Sequence, residues 1–269
     1  MPQLIVSLTT IPPRVGHLET TIRSIQEQSL VPDAIELNIP RSYSRRGFGS
    51  FDRRGLPSGC EVIWVDRDLG PATKVLPTVA RYWGTDTRIV YCDDDQRYDP
   101  QWLERLVRVS EANPGAVIAD RAIQSRKQEI KHVWAQKKLM YRALRAASLG
   151  RWKPSRGPFR DDIAEGFGGV LIRPEYLQDD AFEIPEVLWS VDDVWLSGMY
   201  ERNGHRLVLT NYDAHPHASH IWVDNHRVGD INALIDYETQ GYDRLAANVA
   251  CISYMREKFG VFSGERRTA

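Results

Sequence analysis

Residues 88–95 read Arg88-Ile89-Val90-Tyr91-Cys92-Asp93-Asp94-Asp95, an apolar run that ends in three consecutive carboxylates. A short apolar run rich in β-branched and aromatic residues predicts a buried strand, which places the aspartates at its carboxyl end. In an open parallel sheet, ligands bind beyond the carboxyl ends of the strands. Three carboxylates crowded there cannot all ionise unless something positive sits among them. In an extended segment Asp93 and Asp95 point one way and Asp94 the other. A divalent ion shared between carboxylates and a diphosphate would satisfy such a cluster, because hard cations take oxygen ligands. The bland alternative is an acidic surface turn; the position directly after a buried strand favours the site.

Outward from this strand the chain alternates. Leu4–Leu8 reads as a strand ended by Pro12-Pro13, and Leu18, Ile22 and Ile25 give His17–Gln28 a helical spacing. Ile35–Ile39 and Glu61–Val65 are further strands, separated by a polar loop from Arg41 to Gly59. Thr73–Trp83 reads as a helix weakened by Pro77, and Asp99-Pro100 as a helix start with Asp at the N-cap. Ala116–Ala119 is a fifth strand. Strands alternating with helices predict a parallel sheet built from βαβ units. Downstream, Gly168–Arg173 reads as a strand, Val191–Asn203 as a helix, Arg206–Thr210 as a strand and Asp230–Phe259 as a helical region.

At 269 residues with 42% hydrophobic and 26% charged residues, the chain is long enough for a sizeable core and is neither disordered nor of low complexity. No run approaches the roughly 20 apolar residues of a membrane span, and the first ten residues lack the basic and apolar regions of a secretory signal. Cys60, Cys92 and Cys251 are odd in number and match no zinc or redox spacing, so the expected compartment is the cytoplasm. The net charge of −1 hides an asymmetry: residues 121–160 hold twelve Lys or Arg against one acid, Glu129. Such a basic insert is either a solvated helical hairpin or a surface for an anionic partner.

Ile89 through Asp95 resembles the strand and DxD signature of the GT-A nucleotide-sugar glycosyltransferases. Val6-Ser7-Leu8-Thr9-Thr10-Ile11-Pro12-Pro13-Arg14 is similar to the first strand and nucleotide-binding loop of the family 2 type, and Ser24-Ile25-Gln26-Glu27-Gln28 to its next helix. Gly166-Phe167-Gly168-Gly169-Val170-Leu171-Ile172-Arg173 resembles the small-residue segment before the acceptor site. Ser190-Val191-Asp192-Asp193-Val194-Trp195-Leu196-Ser197 resembles the family's acidic helix start, and Asn203-Gly204-His205-Arg206-Leu207 that helix's usual ending. The resemblance spans roughly residues 3–120 and 165–210. It implies an α/β, Rossmann-like GT-A fold: a mostly parallel sheet flanked by helices, with a basic helical insert and a helical C-terminal region. One catalytic domain would cover 1–269, with a nucleotide-sugar half at 1–120, the insert at 121–160 and an acceptor half at 161–269.

The resemblance also implies roles. Asp93 and Asp95 would hold Mn²⁺ or Mg²⁺ against the diphosphate of a UDP- or GDP-type sugar donor, with Asp94 touching the ribose or sugar. Thr9, Pro12 and Arg14 would line the base pocket, Asp66 or Asp68 would receive the base or ribose, and Lys74 would suit a phosphate. Asp193, with Asp192 as substitute, would be the general base that takes the acceptor hydroxyl's proton in an inverting transfer. His217 or His220 would be a third metal ligand. Ser190-x-x-Asp193 is also a capping-box pattern, so a structural role stands beside the catalytic one. Trp134, Trp152, Trp189, Trp195 and Trp222 could stack on sugars, although eight tryptophans in a chain of this size are mostly packing.

Thr9-Thr10-Ile11-Pro12-Pro13-Arg14 departs from the usual Pro-Thr-x-Asn loop and leaves the base open. The basic insert favours an anionic glycan or glycolipid acceptor, or docking peripheral to the inner face of a membrane. A retaining transferase shares the same motif. A nucleotidyltransferase would need a glycine-rich loop after the first strand, which is absent. A non-catalytic polyanion binder would leave the aspartates unexplained, and the insert lacks the interleaved aromatics of a nucleic-acid platform, so no nucleic-acid partner is expected.

Overall fold

The computed structural model describes residues 2–45, 48, 51, 55–149, 161–210, 218–223, 226–231 and 243–263. Four strands come first, β1 (Leu4–Thr9), β2 (Ala34–Pro40), β3 (Glu61–Val65) and β4 (Arg88–Tyr91), with helices α1 (Leu18–Gln26) and α2 (Leu76–Arg81) between them. β5 (Gln96–Tyr98), α3 (Trp102–Ala112), β6 (Val117–Ala119) and β7 (Ala122–Ile123) follow. The basic segment contributes α4 (Ser125–Gln136) and α5 (Lys138–Ala147), and the chain returns through β8 (Ile163–Ala164) and β9 (Val170–Ile172). The remainder holds α6 (Asp192–Arg202), β10 (Leu207–Leu209), β11 (Ala218–His220), β12 (Trp222–Val223), β13 (His226–Arg227) and α7 (Arg244–Phe259).

Seven strands form one sheet in the order β10-β6-β9-β4-β1-β2-β3. All neighbours run parallel except β9, which lies antiparallel between β4 and β6. The fold is therefore α/β with a mostly parallel sheet, as expected from the sequence. The wedged β9 is the feature that the alternating pattern did not announce. Helices cover both faces, which is why the strands are apolar on both. On β4, Val90 packs with α1 and α3 residues on one face, while Ile89 and Tyr91 pack on the other with α2, α6 and α7. Amphipathic spacing sets α1: Leu18, Ile22 and Ile25 are all buried.

A buried polar network underlies the cleft. Ser7 Oγ donates to the Lys74 carbonyl at 2.6 Å, and Asn38 Nδ2 donates to Ser7 Oγ and Thr78 Oγ1 at 3.0 and 2.9 Å. These bonds fix the segment that carries Lys74 against β1 and β2. The basic segment is likewise pinned at its feet, where β7 pairs with β8 and Ser125 N donates to Asp162 Oδ1 at 2.7 Å.

The structure refines or corrects the expected elements at four places. Pro12 and Pro13 begin a 3-10 turn, Pro12–His17, and α1 starts only after it. The stretch expected as one helix at Thr73–Trp83 is a 3-10 turn, Gly70–Lys74, followed by α2, with Pro77 accommodated in the first turn. Asp99 is not an N-cap: Gln101 is, because the Asp99 carboxylate is taken by the Gln101 N–H at 3.0 Å and by Arg105 at 2.9 Å. Of the helical region expected at Asp230–Phe259, the described part is a 3-10 turn at Val228–Asp230 and α7, while residues 232–242 lie outside the described residues.

Candidate functional site

The carboxyl ends of β1, β2 and β4 open into a cleft of about 300 Å³, whose walls include Thr9, Pro40 and Asp93–Asp95. Across from them stand Asp192 and Asp193 at the start of α6, and Lys74 lies between the two acidic runs. Seven carboxylates and five cations line this cleft, so a divalent cation would balance it.

β4 ends at Tyr91, and Asp93–Asp95 lie in a turn before β5, so it is this turn, and not an extended strand, that sets Asp94 apart from Asp93 and Asp95. Asp93 faces Lys74, with Nζ 2.7 Å from Oδ1. Asp94 turns inward and is buried: Thr10 Oγ1 donates to Oδ2 at 2.5 Å, and Arg14 Nη1 donates to Oδ1 at 3.0 Å. Asp95 Oδ2 lies 3.7 Å from Arg14, and Oδ1 accepts from Gln96 Nε2 at 2.7 Å. Burial pushes the Asp93 carboxyl up, but Lys74 outweighs it and holds it below its ordinary value. At Asp95 the more distant Arg14 does not offset burial and the charges of Asp93 and Asp94, which push its carboxyl up to about 6.

Lys74, expected to suit a phosphate, lines the cleft and lies among three carboxylates. It is buried, 2.9 Å from Asp192 Oδ2 and 3.9 Å from Asp193 Oδ1 as well as against Asp93. Burial opposes its charge, yet Asp192, Asp93 and Asp193 hold its pKa above the ordinary lysine value. Gly166 permits this approach, since a Cβ there would collide with Lys74 Nζ.

The two helix-start aspartates part company. The Asp192 side chain is 4% exposed and faces Lys74, whereas that of Asp193 is 21% exposed and accepts a hydrogen bond from Gly166 N at 3.0 Å. Burial, then the Asp192 charge, pushes Asp193 up to about 7. The capping box is not formed: Val191 is the N-cap of α6 and makes no side-chain cap bond.

Other expected residues fall variously. Thr9 lines the cleft, and its Oγ1 donates to the Asn38 carbonyl at 2.7 Å. Pro12 opens the 3-10 turn and is not in the cleft wall. Arg14 lines the cleft and, besides Asp94, donates to the carbonyls of Gly229 at 2.6 Å and Ile231 at 2.9 Å. Asp68 lines the cleft and accepts from Ser44 N and Gly70 N at 2.7 and 2.9 Å, whereas Asp66 is exposed outside it, paired with Arg41. His220 Nδ1 is 3.0 Å from Gln96 Nε2 and 3.3 Å from Arg227 Nη2, so Gln96 stands between it and Asp95. His217 lies outside the described residues, as does Trp152.

Sequence reasoning passed over several cleft residues. Thr10 and Gly229 hold the acidic turn, a Cβ on Gly229 being impossible beside Asp95 Oδ2. Tyr43 and Phe48 line an aromatic part of the cleft together with Trp189, one of the tryptophans that the sequence offers for stacking on a sugar. Tyr43 Oη donates to the Thr10 carbonyl at 2.9 Å and its ring meets Phe48 edge-on at 5.7 Å. Tyr43 and Phe48 sit in the polar loop, where two isolated aromatics give no periodic signal. Arg244, at the start of α7, lines the far wall.

Among the described residues, no three His, Cys, Asp or Glu side chains converge to hold a metal. The donor set fits a different arrangement. Asp93 and Asp95 offer hard oxygen ligands, Asp95 is pushed toward its protonated form by its neighbours, and Gly229 leaves its oxygen room. Mg²⁺-type cations are commonly held by one or two carboxylates together with substrate phosphates, rather than by an all-protein cage.

No family model matches the chain, and no curated protein does. Among solved structures, the chain is similar to glucosyl-3-phosphoglycerate synthase from Mycobacterium tuberculosis in complex with Mn²⁺, UDP and glucosyl-3-phosphoglycerate. That match has 17% identity, covers 97% of this chain and 81% of that one, and has a TM-score of 0.49. It is also similar to S. aureus TarS 1–349 in complex with UDP, at 13% identity over 79% of this chain and 59% of that one, with a TM-score of 0.45.

Proposed function

We propose that the chain is a metal-dependent GT-A glycosyltransferase that moves a sugar from a nucleotide-diphosphate donor to a hydroxyl of a glycan or glycolipid acceptor, with inversion. The observation that carries this reading is the presence, in one cleft at the carboxyl ends of the strands, of the Asp93 and Asp95 carboxylates together with a separate carboxylate, Asp193, whose pKa burial and Asp192 raise. An aromatic end at Tyr43, Phe48 and Trp189 suits a nucleobase, and Asp68 beside it suits ribose hydroxyls. Asp93 and Asp95 would hold Mn²⁺ or Mg²⁺, which when bound offsets the charge that develops on the leaving diphosphate.

The chain's own residues supply the rest. Asp193 is the carboxylate placed to accept the acceptor hydroxyl's proton as its oxygen attacks the anomeric carbon. Gly166 N–H orients it, and Lys74 pairs with Asp192, which leaves Asp193 the more exposed of the two carboxylates. Arg14 holds Asp94 and the carbonyls of Gly229 and Ile231, closing the cleft over the acidic turn. An anionic acceptor would be favoured by the basic segment 121–160.

Calorimetry with UDP and GDP, with and without Mn²⁺, tests the reading. Binding that requires the metal and is lost in Asp95→Ala is expected, and the preferred base names the donor. Tight binding indifferent to both would remove the cation site and the reading with it.

A further inference from the structure

Helix α5 reads Lys138-Leu139-Met140-Tyr141-Arg142-Ala143-Leu144-Arg145-Ala146-Ala147. At helical spacing Met140, Ala143, Leu144 and Ala147 share one side. The apolar side of such a helix ordinarily packs on a core. Here Met140 is 45% exposed and Leu144 38%, and the three alanines are exposed as well. Just past the helix Leu149 is 86% exposed and held at φ 51°, a left-handed conformation that favours glycine or asparagine over leucine. Val133 on α4 adds a fourth outward apolar side chain, so half of the large exposed hydrophobics among the described residues fall within residues 133–149.

The same stretch carries the charge excess. Its single acid, Glu129, is paired with Arg256 at 2.6 Å and with Arg126 at 3.2 Å, so it offsets none of the remaining cations. A second copy of the chain would bring the same positive charge to this face and be repelled. An anionic lipid surface answers both features, since interfacial helices bind through buried apolar area together with attraction to acidic headgroups. Among the described residues no helix is long and apolar enough to cross a membrane, which restricts the contact to the surface.

We propose that α5 and Leu149 form a docking surface for an anionic membrane, with Met140, Leu144 and Leu149 entering the headgroup boundary and the exposed Lys131 of α4 and Lys137 at its C-terminal end meeting lipid phosphates. This surface needs neither nucleotide nor metal, so its failure would leave the reading of the cleft untouched. The test is flotation of the full chain with phosphatidylcholine vesicles, and with vesicles in which part of that lipid is replaced by phosphatidylglycerol. The chain is expected to float with the second only, and Met140→Ser/Leu144→Ser to weaken that partition by about tenfold or more. Both side chains are exposed, so the melting temperature of the double variant should match the parent. Absence of flotation with anionic vesicles would overturn the proposal, as would equal flotation of the double variant. A dimer in light scattering that the double variant dissolves would instead assign this face to a second copy and overturn the membrane assignment.

Discussion

Two runs of consecutive aspartates face each other in the cleft, Asp93–Asp95 after β4 and Asp192–Asp193 at the start of α6. Each gives up one buried carboxylate to a cation, Asp94 to Arg14 and Asp192 to Lys74. Each leaves a more exposed neighbour with a raised pKa, Asp95 at about 6 and Asp193 at about 7. They differ in what remains. The turn leaves Asp93 and Asp95 both lining the cleft, which suits a cation. On a helix, adjacent residues diverge by about 100°, so Asp192 and Asp193 separate and a single carboxylate is left, which suits a proton. Backbone conformation, more than composition, divides the two tasks, and Lys74 couples them.

Removing that coupling should have the largest effect. Lys74→Met would leave Asp93 and Asp192 without their shared buried cation, at a cost of about 3–5 kcal/mol in urea unfolding and with loss of turnover. Unchanged stability would mean that the two runs are independent. Next in size is the contrast between the helix-start carboxylates. Asp193→Asn is expected to lower turnover by about 10²–10⁴-fold with nucleotide binding intact, whereas Asp192→Asn should chiefly lower stability. An exchange of those two outcomes would make Asp192 the base.

The same carboxylate predicts a pH dependence. Turnover should rise as pH passes through about 7, because the base works unprotonated. The folded chain binds that proton more tightly than the unfolded one, so Asp193's contribution to stability should fall as pH climbs from the ordinary carboxylate range to about 7, and Asp193→Asn should flatten that slope. The smallest expected effect concerns the cleft's aromatic end: Phe48→Ala should weaken nucleotide binding by about 1–3 kcal/mol if the base stacks there. Calorimetry that finds no change would move the base away from Phe48.

Local pattern made much of this legible. The apolar runs at β1, β2 and β4 and the spacing of Leu18, Ile22 and Ile25 follow from short-range rules, and both aspartate runs announced themselves by position in the chain. Long-range choices were hidden. That β9 would enter antiparallel between β4 and β6, or that Asp99 would prefer Arg105 to a helix cap, depends on partners far away in sequence or on a side chain's competing options. The grouping of the cleft's aromatic residues was hidden for the same reason, its members coming from residues 43, 48 and 189.

Sequence alone determined the α/β class, the strand that ends in Asp93–Asp95, the acidic start of α6 and the positive charge of residues 121–160. Each is a property of neighbouring residues, set by periodicity, burial and charge. Only the tertiary structure decided that Arg14 pairs with Asp94, that Lys74 lies among Asp93, Asp192 and Asp193, that Asp193 is more exposed than Asp192, and that Met140 and Leu144 of α5 meet solvent. The physical reason is that a charged group's role depends on the few ångströms around it, and the packing of the sheet assembles those neighbours from distant parts of the chain.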